Sequence, residues 1–454
     1  MGFKDLRDYV NYLRKHRQLL DVDQPLSPRF EVGAALRYLD QRSPNAVYFS
    51  NVTGFSCPVV GNLLGSYDRI ALAMGVETGE LLSEFNSRSG KTIDPLLVKE
   101  SPVEEVVHQH QKGQEINLAG ILPVLTHHAR DIGPYMTSAL LVSADPENGH
   151  RGMGIHRILL KGGNKVGIYI YNPPIRTFLD KAEAMGKPLD IAIVSGVDPA
   201  LFLSSIVYMK DGQDKFAVAG SIKGEPVELF ACGEAGLQVP ARAEFVLLGQ
   251  IQPGIREEEG PFGESSGYYL TYQNPVAQIH TVMHRRDPLY HALMPFNREN
   301  NLLLNLTWES TVGQDLEKKI PYLTAFRLCS VMGMCALLQI KKTAEGQPKE
   351  IMEYVLKTNP LIKGAIVVDT DVDLASWDDV SWAVSTRFQP HRDLLLLRDQ
   401  QGYPLDPSTR DVITSKWGMD ATAPLGEKDL FEKVVVPAEV MEKVNAMLKG
   451  INLV

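Results

Sequence analysis

The chain predicts a multidomain protein of mixed α+β and α/β architecture, with a central β domain of barrel or sandwich type between two α/β segments. Three observations carry this. The 454 residues are enough for roughly two or three domains with buried cores. Helical periodicity and strand-like runs alternate near both ends, and between them, from about residue 116, short β-rich runs are separated by Gly and Pro clusters. These observations place boundaries at 1–115, 116–308 and 309–454.

In the first segment, Leu6, Tyr9, Val10 and Leu13 recur at helical spacing and predict an amphipathic helix over 4–18. A helix follows near 30–41, then strands over 46–52 and 57–65, and helices over 67–76 and 103–111. The central segment predicts strands over 137–144, 165–171, 190–196, 215–222, 244–250 and 277–284, interrupted by a helix over 176–185. In the third, 322–338 is an apolar helix or buried run, 364–372 a core strand, and 437–449 an amphipathic helix. Val440, Met441, Val444 and Met447 on one side of that last helix serve either oligomerisation or packing on its own domain.

Composition excludes several classes. Hydrophobic content of 44% with 22% charge is that of an ordinary globular protein, and a net charge of −9 disfavours nucleic acid or an anionic membrane as partner. No apolar run reaches the length of a membrane span, and the N-terminal stretch has neither a signal-peptide core nor a myristoylation pattern. Cys57, Cys232, Cys329 and Cys335 form no CxxC pair, which fits reduced thiols in the cytoplasm.

The most informative stretch is Glu259-Gly260-Pro261-Phe262-Gly263-Glu264. A Gly-Pro-Phe-Gly turn that folds back brings both acids to one spot, and an arginine between them would keep one ionised and leave the other as a proton donor. The plainer reading is an acidic surface loop. Arg157, within a β-rich run, needs a carboxylate if it points inward, whereas a surface arginine needs none; spacing alone does not choose. His127 and His128 are adjacent, so in an extended segment they face opposite ways and make a poor metal pair. Asp369, Asp371 and Asp373 start like a calcium loop, but Leu374 and Val380 occupy its sixth and twelfth positions, so a strand-end turn is expected. The glycine-rich stretch 161–167 reads as a hairpin turn.

Taken together, these residues resemble the UbiD family of reversible decarboxylases, which use prenylated FMN. The likeness runs in order through EINLAGILPV, DIGPYMTSALLVSADPENG, GKPLDIAIVSGVDPALFL, AGSIKGEPVEL, LQVPARAEFVLLG, EGPFGESSGYY, VVDTDVDLASWDDVSWAVSTRF and SKWGMDAT, and covers nearly the whole chain. It implies a central split β-barrel that binds the flavin and a C-terminal domain that builds homodimers or homohexamers. It further implies a catalytic Glu–Arg–Glu network in which Glu264 protonates the substrate carbon, Arg157 holds the carboxylate and contacts the flavin, and Glu259 orients Arg157. Flavin contacts are implied for His156, Ser221 and Lys416. His291, Arg298 and Glu299 are implied on the substrate side, where charged groups suit an aromatic, heteroaromatic or α,β-unsaturated acid carrying a second polar group. A flavin prenyltransferase would supply the cofactor.

The chain departs from the family where a divalent ion (Mn2+ or Mg2+, with K+) bridges to the flavin phosphate. Gly152 stands in place of the Asn, 171–177 lacks the His, and Gly233 stands in place of the Glu, with Glu234 one residue late. Ala423 replaces a common lysine. Two readings are open. Either Arg176 and Lys223 hold the flavin phosphate directly in an active carboxy-lyase, or the chain is a non-catalytic or cofactor-free UbiD-like subunit of a carboxylase complex.

Overall fold

The computed structural model describes residues 2–111, 116–208, 213–329 and 331–448. They form two compact units, the first holding the chain up to Val312 and the second most of the chain beyond it. Among the described residues no helix is long and apolar enough to cross a membrane.

Unit 1 opens with the helix Leu6–Lys15, capped by the Asp5 side chain, which accepts from the Asp8 amide. Its buried face is Leu6, Tyr9, Val10 and Leu13, as the periodicity predicts. A four-stranded sheet comes next, in the order Leu19–Val22, Ala46–Phe49, Val59–Gly61 and Tyr290–Ala292. Its last strand enters from far along the chain.

The main element is a nine-stranded sheet, curled as a half-barrel, in which every pairing is antiparallel. Two strands dominate it, Phe245–Gly263 and Tyr269–His284, forming one long hairpin. Leu189–Ser195 pairs with the first part of that hairpin, and Leu140–Ala144 pairs next to it. These strands are apolar on both faces. Leu141, Ile191, Ile193, Phe245 and Leu247 enter one core, while Leu140, Val142, Ala192, Val194, Val246 and Leu248 enter another. A strand that separates two cores reads as a continuous apolar run, which is why 190–196 and 244–250 are conspicuous in the sequence.

Several expectations are corrected. Residues 215–222 form not a strand but the helix Lys215–Lys223, capped by Asp214 and closed by Gly224 in the left-handed region at φ 84°. All of Lys215 to Ile222 are buried, so no polar face marks the helical period, and short apolar runs of this length do not distinguish helix from strand. Residues 103–111 are a short 3-10 turn and the edge strand Val106–Gln109, which pairs with the end of Tyr269–His284. The run 322–338 is the antiparallel pair Leu323–Cys329 and Cys335–Ile340. The 22-residue helix Arg298–Lys319 has no counterpart in the sequence reading, since its apolar positions define no single stripe.

Unit 2 is a five-stranded sheet with Gly364–Asp369 at its centre and Cys335–Ile340 and Ile413–Ala421 parallel to it on either side. The strand-end aspartates behave as a turn, with Asp369 and Asp371 both bound to the buried Arg387. The helix Ala438–Leu448 leaves its apolar side chains exposed, Met447 at 70%. Lys416 lies in the core of unit 2 and donates to the Leu356 and Asn359 carbonyls at 2.8 and 2.7 Å, closing the C-terminal end of the helix Gln347–Thr358. These bonds give Lys416 a structural role. Burial holds Lys416 down at about 8, against about 10.4 for a free lysine. Between those values the unfolded chain binds more protons than the folded one, so this group makes stability rise with pH from about 8 to about 10. Melting curves over that range are expected to slope less steeply for Lys416→Met than for the parent; equal slopes would refute the assignment.

Candidate active site

Arg157 leaves the corner between the strands Arg151–Ile155 and Ile158–Gly162. The corner is pinned by the His156 amide, which donates to the Ala139 carbonyl at 3.1 Å, and by the Tyr169 amide, which donates to the Arg157 carbonyl at 3.3 Å. The Arg157 side chain is 8% exposed and points inward. Nε and Nη2 donate to the two oxygens of Glu259 at 3.1 and 2.7 Å, a bidentate pair, and Nη1 is ion-paired with Glu264 Oε1. Asn274 Nδ2 adds a bond to Glu259 Oε2 at 2.7 Å. The guanidinium carbon lies 4.4 Å from the Tyr169 ring centre, 4.7 Å from Phe262 and 5.5 Å from Tyr272, so aromatic faces enclose the charge. The structure thus brings Arg157, Glu259 and Glu264 into one cluster.

The route to that cluster differs from the expected turn. Gly260 to Gly263 do not reverse the chain; they continue the strand, and the reversal comes after Glu264, whose amide donates to the Tyr268 carbonyl at 2.9 Å. In a regular strand, residues five apart face opposite sides. Here Glu259 pairs with Tyr272 and Phe262 with Leu270, so Gly260 and Pro261 together oppose Thr271. That extra residue is a bulge, and it turns an odd step into an even one. Gly260 takes φ 125°, and a Cβ there would lie 2.6 Å from the Leu270 carbonyl oxygen, which leaves glycine as the residue that fits.

A second segment fixes the acid-bearing strand. Asp131 accepts from the His128 amide at 2.8 Å, the His127 amide at 3.2 Å and the Gly263 amide at 2.8 Å, while the Ile132 amide donates to the Pro261 carbonyl at 3.0 Å. Burial alone would raise the Asp131 pKa, but the bonds from His128 and Gly263 outweigh it and hold the carboxyl below its usual range. Farther along, Thr137 and Ser138 hydroxyls donate to the Leu293 and His291 carbonyls, both at 2.6 Å. The DIGPYMTS motif is therefore a clamp, a role the sequence reading missed.

His156 is buried, its Nδ1 bonded to the Tyr169 carbonyl, and burial pushes its pKa down to about 4. His291 is buried too, held down to about 4 by burial, with the Phe202 ring 5.0 Å away and no partner on Nε2. Glu299 is turned inward, accepting from the Leu64 amide at 2.6 Å, and burial raises it to about 7. Arg298, next to it, binds Asp40 instead, with its amide donating at 3.2 Å. Arg298 and Glu299 share Arg69 and Asp40 as charged neighbours.

Arg176 lies on the exposed side of the helix Ile175–Ala184 and is paired with Asp180 at 2.8 Å, and Lys223 is paired with Glu225 at 3.3 Å. Both cations expected to hold a phosphate are already neutralised by neighbouring acids. Ser221 is buried on the same helix as Lys223. Glu234 is exposed on the turn after Cys232. A Cβ at Gly152 would fall 2.6 Å from Pro174 and 2.7 Å from Phe178, so apolar atoms fill the place a ligand side chain would need. Among the described residues no group of three or more His, Cys, Asp or Glu is placed to hold a metal. The residues present do not fit a divalent ion here.

Comparisons with known proteins identify the family. Family models described as the N-terminal, Rift-related and C-terminal domains of 3-octaprenyl-4-hydroxybenzoate carboxy-lyase match residues 10–89, 97–297 and 301–421. The chain belongs to the UbiD family of decarboxylases. Among its UbiD relatives is an anhydromevalonate phosphate decarboxylase of Methanosarcina mazei, 33% identical over 95% of this chain and 99% of that protein. The UbiD-class enzyme HmfF from Pelotomaculum thermopropionicum, solved in complex with FMN, superposes with a TM-score of 0.91 at 34% identity, covering 96% of this chain and 98% of that one. A 3,4-dihydroxybenzoic acid decarboxylase from Enterobacter cloacae gives 0.90 at 26% identity, covering 98% and 100%.

Because Asp131 holds the strand at Gly263, next to Glu264, Asp131→Ala is expected to cost about 1–3 kcal/mol of stability for the amides it strands. Turnover should drop about 100-fold as the acid loses its position. Parallel melting and kcat measurements check this, and a variant with full turnover would remove the clamp from the account.

Proposed function

We propose that the chain is a reversible, non-oxidative decarboxylase of an aromatic, heteroaromatic or α,β-unsaturated carboxylic acid, with prenylated FMN as cofactor. One observation carries it: a buried arginine bracketed by two carboxylates that are held unequally. Glu259 is fixed by two bonds from Arg157 and one from Asn274, whereas Glu264 meets Arg157 through Nη1. Two carboxylates around one guanidinium carry an excess negative charge in a low-dielectric site, and the less well solvated one takes up a proton most readily.

On this reading Arg157 orients the substrate carboxylate with the donors that Glu259 leaves unused. Glu259 holds the guanidinium in plane. Glu264 delivers its proton to the carbon from which carbon dioxide has left, and takes it back in the carboxylation direction. Tyr169, Phe262 and Tyr272 keep water from the guanidinium. When bound, the flavin supplies the electron sink. Spare donors on Arg157 are what a pocket built for a further ligand leaves, and HmfF has been solved both with FMN and with prFMN. Of the residues expected on the substrate side, His291 keeps a ring nitrogen without a partner and is proposed to face a polar group of the substrate. A homo-oligomer in the cytoplasm, built through the exposed face of the helix Ala438–Leu448, completes the proposal.

Glu264→Gln tests it. In protein co-expressed with a flavin prenyltransferase, the variant is expected to keep its fold and flavin absorbance. It should lose at least about 100-fold in decarboxylation and in solvent-deuterium exchange into the product. Undiminished exchange in that variant would sink the assignment.

A further inference from the structure

Lys215 is the side chain the site does not yet explain. It is 8% exposed, at the first turn of the helix Lys215–Lys223, and its ammonium donates to the Ser205 carbonyl at 2.6 Å. Among the described residues no carboxylate lies within ion-pair distance of it. An ammonium has three donors, and burying one without a counter-charge is costly unless an anion arrives. Its place in the fold says which anion. Arg151 pairs with Asp214, at 2.8 Å from Nε, and so binds the start of this helix to the strand Arg151–Ile155. That strand carries Gly152, where the metal-holding asparagine is missing, and leads into His156 and Arg157. The positive charge of Lys215 reaches the His156 ring, helping burial to keep it neutral. Meanwhile Arg176 and Lys223 are committed to Asp180 and Glu225.

We propose that Lys215 binds the flavin phosphate directly, taking the place of the divalent ion. Pro174 and Phe178 are packed where a side chain at 152 would sit. Held down to about 8 by burial alone, Lys215 recovers its full charge when a phosphate pairs with it.

This inference rests on the flavin reading above, and the experiment separates the two. FMN and riboflavin, which differ by the phosphate, are titrated by fluorescence into flavin-free full-length protein, in EDTA and again with manganese. The parent is expected to bind FMN at least about tenfold tighter than riboflavin in EDTA, with no gain from manganese. Lys215→Met should lose that preference while riboflavin binding stays within about twofold, and its flavin-free melting temperature should hold or rise, since an unpaired buried charge is gone. Lys215→Gln, which keeps a donor for the Ser205 carbonyl, should behave like Lys215→Met, and Lys215→Arg should restore part of the preference. An unchanged FMN-to-riboflavin ratio in Lys215→Met and Lys215→Gln overturns the proposal and is also what a site for a substrate phosphate would give. A requirement for manganese overturns it as well. Parent protein that binds neither flavin removes the flavin reading itself, and this inference with it.

Discussion

A guanidinium that cannot reach water must be neutralised where it stands, and most of the local architecture around Arg157 serves that need. Its charge is met by a bidentate bond to Glu259, the geometry in which carboxylate and guanidinium interact most strongly. Glu259 is itself buried and is completed by Asn274 from the neighbouring strand. Taking away either partner would leave a buried charge alone, which costs far more than the pair contributes when intact. Glu264 is then placed relative to an arginine that has no freedom to move. The bulge at Gly260-Pro261 and the Asp131 bond to Gly263 act on the same distance from opposite sides, one by setting which face Glu264 uses, the other by fixing its strand.

The long hairpin explains why such a cluster can exist at all. Over Phe245–Leu248 and the facing residues, both sides of the sheet are core, and polar groups would be destabilising. Beyond Ile251 the strand carries Arg256, Glu257 and Glu258, whose partners include Lys161 and Lys165 at the sheet surface. Glu259 lies just past that surface stretch, where the sheet curls and Phe262 and Tyr135 pack 4.3 Å apart over the site. One continuous strand therefore runs from a dry core through a charged surface into an enclosed charged pocket. Rigidity inherited from the core end is what lets the far end hold two acids at one arginine.

Much of this was legible in the sequence, and the residues show where reading stopped. Strands between two cores announce themselves as unbroken apolar runs, and Leu6, Tyr9, Val10 and Leu13 carry a clean helical period. Lys215 to Ile222 do not, because a helix buried on every side has no polar face to give the period away. The cluster of Arg157, Glu259 and Glu264 followed from ordered motifs, whereas its geometry did not: a bulge depends on which residue across the hairpin is skipped, and that is a property of the partner strand. The acid partners of Arg176 and Lys223 were not legible for a related reason. A cation in a sequence carries no mark of whether an acid four residues on, as in Asp180, or two residues on, as in Glu225, already occupies it.

The charge balance of the pocket bears directly on the proposed chemistry. Three buried imidazoles, His127, His156 and His291, are held neutral by burial and contribute no positive charge near neutral pH. Around the guanidinium the formal charges are therefore those of Arg157, Glu259 and Glu264. A substrate carboxylate entering beside Arg157 adds one more negative charge to a site that already has an excess if both acids are ionised. On the proposed reading, the electron pair released as carbon dioxide leaves would pass to the bound flavin, and Glu264, beside Arg157, would be the group that protonates carbon.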